Sequence, residues 1–167
     1  MRAFIAGLGL TASLAFSPAF AQAPAPAPAL KTYTSAAEIT ALMAKAKAEK
    51  KEGQATVTEP ILRLAPYAAN LEYRTLVGPA AIHEKEAEMF YVIDGSGSLT
   101  TGGALVNPTR PNPENVTGTA VEGGSARPVA KGDFIIIPEG VPHWFNRIDG
   151  TLVLMSVHVP RQSAAPK

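Results

Sequence analysis

From residue 55 onward the chain consists of short runs rich in β-branched and aromatic residues, separated by turn residues. Apolar side chains recur in these runs with a period of two, which is typical of strands with one buried face. The spaces between the runs leave no room for a crossover helix, so the pattern predicts an antiparallel sandwich or barrel. The predicted strands are residues 55–64, 70–77, 88–93, 98–101, 119–121, 126–129, 133–137, 141–146 and 152–159.

One amphipathic helix is predicted before the strands, over residues 34–53. Ser35-Ala36-Ala37-Glu38 has the pattern of a capping box, which starts a helix, and Gly53 is a typical end. Apolar residues recur at helical spacing and are expected to pack against the barrel. These residues are Ile39, Leu42 and Met43.

The first residues have the pattern of a secretory signal peptide, predicted over 1–21. Arg2 precedes an apolar run at 3–16, and Ala19-Phe20-Ala21 forms a cleavage site. Residues 22–33 begin with alternating Ala and Pro, which favours an extended linker. We therefore expect a periplasmic or secreted protein with a linker at 22–33, a barrel at 54–160 and a short tail at 161–167.

Composition excludes several classes of function. The chain has 15 basic and 14 acidic residues, and removal of Arg2 with the signal peptide leaves 14 of each. This balance predicts no nucleic-acid partner and, after cleavage, no membrane association. With no cysteine in the chain, any metal site must use histidine and carboxylate ligands.

A glycine- and proline-containing motif leads to one of the three histidines. It reads Gly132-x5-Pro138-x-Gly140-x2-His143 and matches the second motif of the cupin superfamily as far as its histidine. The Asn that follows in the family stands at Asn146, one place early. The chain therefore resembles a cupin, which implies a single antiparallel β-barrel of the jelly-roll type, with the predicted helix at its N-terminus.

The first cupin motif, G-x5-H-x-H-x3-4-E-x6-G, is matched in part. Glu88-x6-Gly95 fits its second half, and His83 stands where the family has its second histidine. The family's first histidine then falls on Ala81. An alternative register takes His83 as the first histidine and Lys85 in place of the second. In both registers one imidazole is missing.

The third histidine lies outside both motifs. If Asp149-Gly150 is a two-residue hairpin turn, His143 pairs with Ser156 and Val141 with His158. His143 and His158 would then share a face of the sheet, although a register error of one residue would move His158 to the other face. His158 is accordingly a candidate fourth ligand or acid/base residue, and a strand histidine with a structural role is the alternative.

The resemblance and the ligand chemistry together predict a metal site of His83, Glu88 and His143. Two imidazoles and one carboxylate with open positions suit a divalent transition metal such as Fe, Mn, Ni or Zn. A barrel without metal, in which these groups bond to one another, is the alternative. Phe90, Val92, Phe145 and Ser156 are predicted to line the pocket, because they share faces of strands with these ligands.

Three other features concern access to the pocket. Residues 107–118 contain three prolines and are predicted to form a loop that covers the barrel mouth. Arg74 could bind a carboxylate, although an exposed strand arginine is the ordinary alternative. Trp144 is expected to pack outside the barrel, because its position alternates with that of His143.

The function expected from these features is that of an exported cupin that holds a divalent metal and binds or acts on a small organic molecule. Dioxygenase, lyase and isomerase chemistry are all compatible with the resemblance. A non-catalytic binding or sensor cupin without metal and a barrel with a purely structural role are the alternatives, since one fold supports many activities. A homodimer is expected on analogy with cupins.

Overall fold

The computed structural model describes residues 29–161. The predicted signal peptide at 1–21, most of the predicted linker and residues 162–167 of the predicted tail lie outside the described residues. Within the described range, no helix combines the length and the apolar character needed to cross a membrane.

The described range contains one helix and a set of antiparallel strands. Helix α1 covers Ala36–Glu49. The strands are β1 Thr56–Leu64, β2 Tyr67–Arg74, β3 Ala80–His83, β4 Glu86–Thr101, β5 Ala104–Val106, β6 Thr109–Asn112, β7 Asn115–Gly118, β8 Ala120–Glu122, β9 Ser125–Ala130, β10 Phe134–Ile137 and β11 His143–Pro160.

Helix α1 begins at the predicted capping box. The Glu38 backbone N–H donates to Ser35 Oγ at 3.2 Å, and the Ser35 backbone N–H donates to Glu38 Oε2 at 2.7 Å. The helix is shorter than predicted because Lys50 leaves the helical region, with φ −62° and ψ 124°. Its apolar face packs on the outer surface of β1 and β2, as expected, through Ile39, Leu42, Met43 and Ala46.

All pairings between the strands are antiparallel, which confirms the predicted all-β barrel with one N-terminal helix. The main sheet follows the order β1-β2-β11-β3-β7-β6, while β4 pairs with β9, β10 and β11. Strands β5 and β8 form a separate pair. The interior is filled by one apolar cluster, which consists of Phe90, Val92, Leu99, Val129, Ile137, Phe145, Leu152 and Leu154.

Two predicted turns are instead bends within long strands. Asp94-Gly95 lies inside β4, and Asp149-Gly150 lies inside β11. The hairpin register predicted from Asp149-Gly150 is therefore wrong. Both glycines have positive φ, 82° at Gly95 and 76° at Gly150. This conformation serves a bulge in the pairing of β4 with β11, where the register shifts between Ile148 and Leu152.

The predicted loop at 107–118 is also wrong. It folds as the hairpin of β6 and β7, and β7 pairs with β3 so that Asn115 lies opposite His83. Pairing with an existing edge supplies the backbone hydrogen bonds, so little apolar surface is needed. Arg110 reinforces the hairpin through two 2.8 Å bonds to the Glu84 carboxylate.

Of the two glycines at the bend, Gly95 should tolerate substitution less well than Gly150. A Cβ at Gly95 would lie 1.9 Å from the Thr151 carbonyl oxygen, whereas a Cβ at Gly150 would meet nothing within 4 Å. We expect Gly95→Ala to lower the free energy of unfolding by about 2–4 kcal/mol, through strain and a backbone clash.

Gly150→Ala is the matched control and should cost about 1–2 kcal/mol, from its left-handed conformation alone. Urea denaturation of both variants measures the difference. Equal losses in the two variants would show that the close approach of β11 to Gly95 is not a constraint.

Candidate metal centre

Three histidines surround one buried carboxylate at one end of the barrel. Glu88 Oε2 lies 3.1 Å from His83 Nε2 and 3.1 Å from His143 Nε2. Glu88 Oε1 lies 3.3 Å from His158 Nε2. Donor atoms of His83, Glu88 and His158 all lie within 4.8 Å of one another. These three side chains therefore form a cluster of the size that a single metal ion requires, and His143 contacts the same carboxylate from another side.

Pairing between three strands brings the cluster together. Glu88 in β4 lies directly opposite His158 in β11. At its other end β11 places His143 opposite Ala81 of β3, two residues before His83 on the same face. Because β11 bends at residues 148–152, its two terminal histidines reach the same carboxylate. The sequence predicted this convergence, but through a hairpin that does not exist.

The register of the first motif follows from these positions. Ala81 lines the cavity beside the cluster, where the family's first histidine would stand. Lys85 is 66% exposed and lies 3.8 Å from Glu114, away from the cluster. The structure therefore favours the register in which His83 is the second histidine, and His158 provides a third imidazole from another strand.

Each imidazole has an oxygen beside its outer nitrogen. His83 Nδ1 lies 2.5 Å from Asn115 Oδ1, and His143 Nδ1 lies 3.3 Å from the Val141 carbonyl oxygen. His158 Nδ1 lies 2.6 Å from Glu86 Oε1. Such outer contacts orient histidines toward a metal in known metal sites. All three Nε2 atoms face Glu88.

The hydrogen bonds of Asn115 define the tautomer of His83. The Asn115 amide nitrogen donates to Asn112 Oδ1 at 3.0 Å, so its oxygen is the atom that faces His83. His83 Nδ1 must then carry a proton, and neutral His83 has its lone pair on Nε2. A lone pair 3.1 Å from a carboxylate oxygen is repulsive, so a proton or a cation has to lie between them.

In the protein without metal, protons lie between the histidine nitrogens and the Glu88 carboxylate, and the hydrogen bonds they make shift the pKa values of both groups. Burial opposes ionisation of Glu88, but hydrogen bonds from His143 and His83 hold the pKa of the carboxyl well below its usual range. Burial also disfavours protonated His83, yet the hydrogen bond and charge of Glu88 raise the pKa of His83 above 6.5. A cation bound at Nε2 would replace these protons.

A cavity of about 340 Å³ adjoins the cluster, and this size suits a small organic molecule. Phe145, of the predicted pocket residues, lines it. Phe90, Val92 and Ser156 are not among its lining residues, because they lie deeper in the barrel and are at most 1% exposed. The lining consists of Thr56, Thr58, Glu72, Arg74, Gly78, Pro79, Ala81, His83, Glu88, His143, Trp144, Phe145 and His158.

Two lining residues differ from their expected positions. Trp144 faces the cavity rather than the outside, and its Nε1–H donates to the Gly78 carbonyl at 2.9 Å. Arg74 has a side chain that is only 17% exposed, so the ordinary alternative of an exposed arginine is wrong. The hairpin at 109–118 contributes no lining residue, which leaves Asn115 as its contact with the site.

Comparison with known proteins gives a family match and several structural likenesses. A family profile described as cupin matches residues 57–163. No curated protein sequence matches the chain.

The solved structures that are similar to the chain include KdgF from Halomonas sp., at 14% identity and a TM-score of 0.49 over 68% of this chain and 86% of that one. FeII HppE has 16% identity and a TM-score of 0.49 over 65% and 53% of the two chains. The cupin domain of Schizosaccharomyces pombe Cnp3 has 13% identity and a TM-score of 0.48 over 68% and 71%.

The stability of the protein without metal should fall as pH rises above neutrality. A histidine with a raised pKa stabilises the fold below its unfolded value, near 6.5, and this contribution is lost as pH rises through the folded value. Glu88 acts in the opposite sense only at low pH, because its folded pKa is depressed. We therefore expect the urea midpoint in the presence of a chelator to decrease from pH 6 to pH 9.

Glu88→Gln should flatten this decrease, because a neutral amide no longer raises the pKa of His83. An exposed carboxylate variant, Glu122→Gln, serves as the control and should retain the wild-type slope. A wild-type midpoint that rises over the same range would contradict the assigned hydrogen bond between His83 and Glu88.

Proposed function

Because the chain belongs to the cupin family, as the match over residues 57–163 shows, we propose that it is an exported cupin that holds a divalent transition metal and binds a small organic molecule beside it. The proposed ligands are His83, Glu88, His143 and His158. One observation carries the proposal: three imidazole Nε2 atoms lie 3.1–3.3 Å from the oxygens of one buried carboxylate.

The donor set fits a metal better than it fits a purely structural role. Three imidazoles and one carboxylate suit Fe, Mn, Ni or Zn, and four protein ligands leave positions open in an octahedral sphere. Glu88 is only 4% exposed, so its negative charge needs an opposite charge close by, which a divalent ion at the histidine nitrogens would supply. When bound, the ion supplies a Lewis acid at the cavity, and with a suitable metal also a redox centre.

The protein groups around the ion have separate tasks in this proposal. Asn115 orients His83 through a hydrogen bond at Nδ1, and Glu86 places a carboxylate oxygen 2.6 Å from His158 Nδ1. His158 is in contact with both Glu86 and Glu88, so we assign it as a ligand in place of the imidazole that Ala81 lacks. Trp144 and Phe145 form apolar walls that exclude water from a bound ligand.

Metal analysis of the mature protein, prepared without a histidine tag, tests the proposal. We expect about one transition metal ion per chain by mass spectrometry, and calorimetric titration should reproduce this stoichiometry with the metal-depleted protein. His143→Ala and His158→Ala should each lower metal affinity by a factor of about 10–100 or more, because each removes a donor atom. No binding after growth in metal-supplemented medium would favour the metal-free binding cupin.

Variants of Asn115 test whether this residue supports metal binding by orienting His83 or only by stabilising the fold. Asn115→Ala should weaken metal binding about 10–100-fold, since His83 loses the acceptor that fixes its tautomer. Asn115→Asp keeps an oxygen acceptor and should retain most of the affinity. Asn107→Gly, at an exposed residue of the same region whose φ of 48° suits glycine, is the control and should bind metal as the wild type does.

Export and pairing of two copies are also part of the proposal. Ala19-Phe20-Ala21 supports cleavage before Gln22. Within residues 29–161, strand β10 pairs only with β4, and it exposes Phe134 by 62% and Ile136 by 60%, which supports a contact with a second copy. Protein recovered from the exporting host should have the mass of a chain that begins at Gln22, and light scattering should give the mass of a dimer. An unprocessed chain or a monomer would contradict the respective statement.

A further inference from the structure

An arginine and a glutamate lie on the wall of the cavity, on strand β2. Glu72 and Arg74 are two residues apart and therefore point to the same side of the strand. Both line the cavity that contains the three histidines and Glu88. Charged residues with side chains only 11% and 17% exposed are uncommon unless they have a structural partner or a ligand.

The guanidinium group of Arg74 is held in one position. Its Nε and Nη2 atoms donate to Glu72 Oε2 at 2.9 and 2.5 Å. The same group lies over the ring of Phe145, with 4.8 Å from Cζ to the ring centroid. An arginine fixed in this way loses little entropy when it binds a further group.

Part of this guanidinium group is free to bind a ligand. Nη1 of Arg74 makes no hydrogen bond to any residue in the described range 29–161, while Nε and Nη2 are engaged on the side of Glu72. A guanidinium nitrogen with free N–H groups at a cavity wall is a suitable donor to a carboxylate.

The charges around the cavity favour a ligand with one negative charge. Glu72 and Arg74 neutralise each other, and Glu88 is the third charged residue in the lining. A divalent ion bound by Glu88 and neutral histidines would leave the ion and its ligands with a net charge of about +1, and Glu86, which contacts His158 from behind, does not line the cavity. A monoanion would neutralise this charge, whereas a dianion or a cation would not.

We propose that the cavity takes a small monocarboxylic acid that carries a hydroxyl or keto oxygen. The carboxylate would contact Arg74, the second oxygen would face the histidines and Glu88, and the carbon skeleton would lie in the cavity that these residues line. This inference rests on the proposed metal site. It assigns Arg74 as the residue that determines specificity for acids.

Pairs of acids and amides with the same skeleton test the proposal. Lactate and lactamide, mandelate and mandelamide, and 4-hydroxybenzoate and 4-hydroxybenzamide are titrated against the cobalt-loaded protein, and the visible cobalt spectrum and calorimetry report binding. We expect at least one acid to bind tenfold or more tightly than its amide. In Arg74→Gln this preference should disappear, while cobalt affinity stays within about threefold of wild type.

Two further variants show whether a loss of the preference comes from Arg74 itself or from the charge that its removal leaves unpaired. Arg74→Gln leaves Glu72 buried without its partner, so the double variant Glu72→Gln and Arg74→Gln, in which both side chains are neutral, is measured beside it and should also lose the preference. Arg147→Gln is the matched control, because Arg147 lies 3.0 Å from Asp149 in an exposed pair with the same spacing. This variant should retain the wild-type preference.

The outcomes distinguish this inference from the proposed function. If cobalt does not bind to the wild-type protein, the metal site itself is wrong, and the inference is overturned with it. If cobalt binds but no acid binds better than its amide, only the inference is overturned. Retention of the preference in both variants that lack Arg74 would likewise show that another group recognises the carboxylate.

Discussion

The antiparallel pairing of β4 with β11 determines both the barrel and the site. These two strands are the longest in the described range, and their register runs from His143 opposite Thr101 to His158 opposite Glu88. Between these ends both strands bend, and the bend depends on close contact between Gly95 and the backbone at Thr151. Because one continuous strand carries two of the histidines, the curvature of β11 decides whether they meet.

The burial of Glu88 determines which partners its carboxylate needs. An ionised carboxylate loses several kcal/mol of hydration in the interior unless hydrogen bonds or opposite charge replace the water. The groups that face Glu88 are histidine Nε2 atoms. At His83 and His143 an outer oxygen accepts from Nδ1, so in the neutral form each Nε2 carries a lone pair and cannot donate to the carboxylate. Each lone pair that faces the carboxylate therefore needs a proton or a cation beside it, and the proposed divalent cation would fill this need for several nitrogens together.

The sequence predicted the parts of the fold that depend on local patterns. The period of two, the capping box at Ser35 and the glycine-rich second motif were sufficient for an all-β barrel with one helix. Strand boundaries were less accurate where glycine was involved, because a positive φ suits a turn and a bulge equally. Gly95 and Gly150 are bulge residues only because another strand passes beside them, and that contact is not encoded locally.

The same distinction applies to the site. Histidine and carboxylate types in motif spacing identified His83, Glu88 and His143, and the structure brings all three together with His158. The roles of Asn115 and Glu86 were missed, since residues that contact only the far side of an imidazole have no spacing signature of their own. Asn115 also lay in a segment whose prolines indicated a loop, although pairing with β3 makes it a strand.

Strand β2 connects the bend of β11 with the cavity wall. Arg74 lies opposite Leu152, and Leu152 lies opposite Gly95, so the arginine is positioned at the point where both long strands change direction. The bend that brings His143 and His158 to the same carboxylate thus also sets the depth of the guanidinium group in the barrel. A change in that curvature would move the proposed metal ligands and Arg74 together, so the geometry of one constrains the geometry of the other.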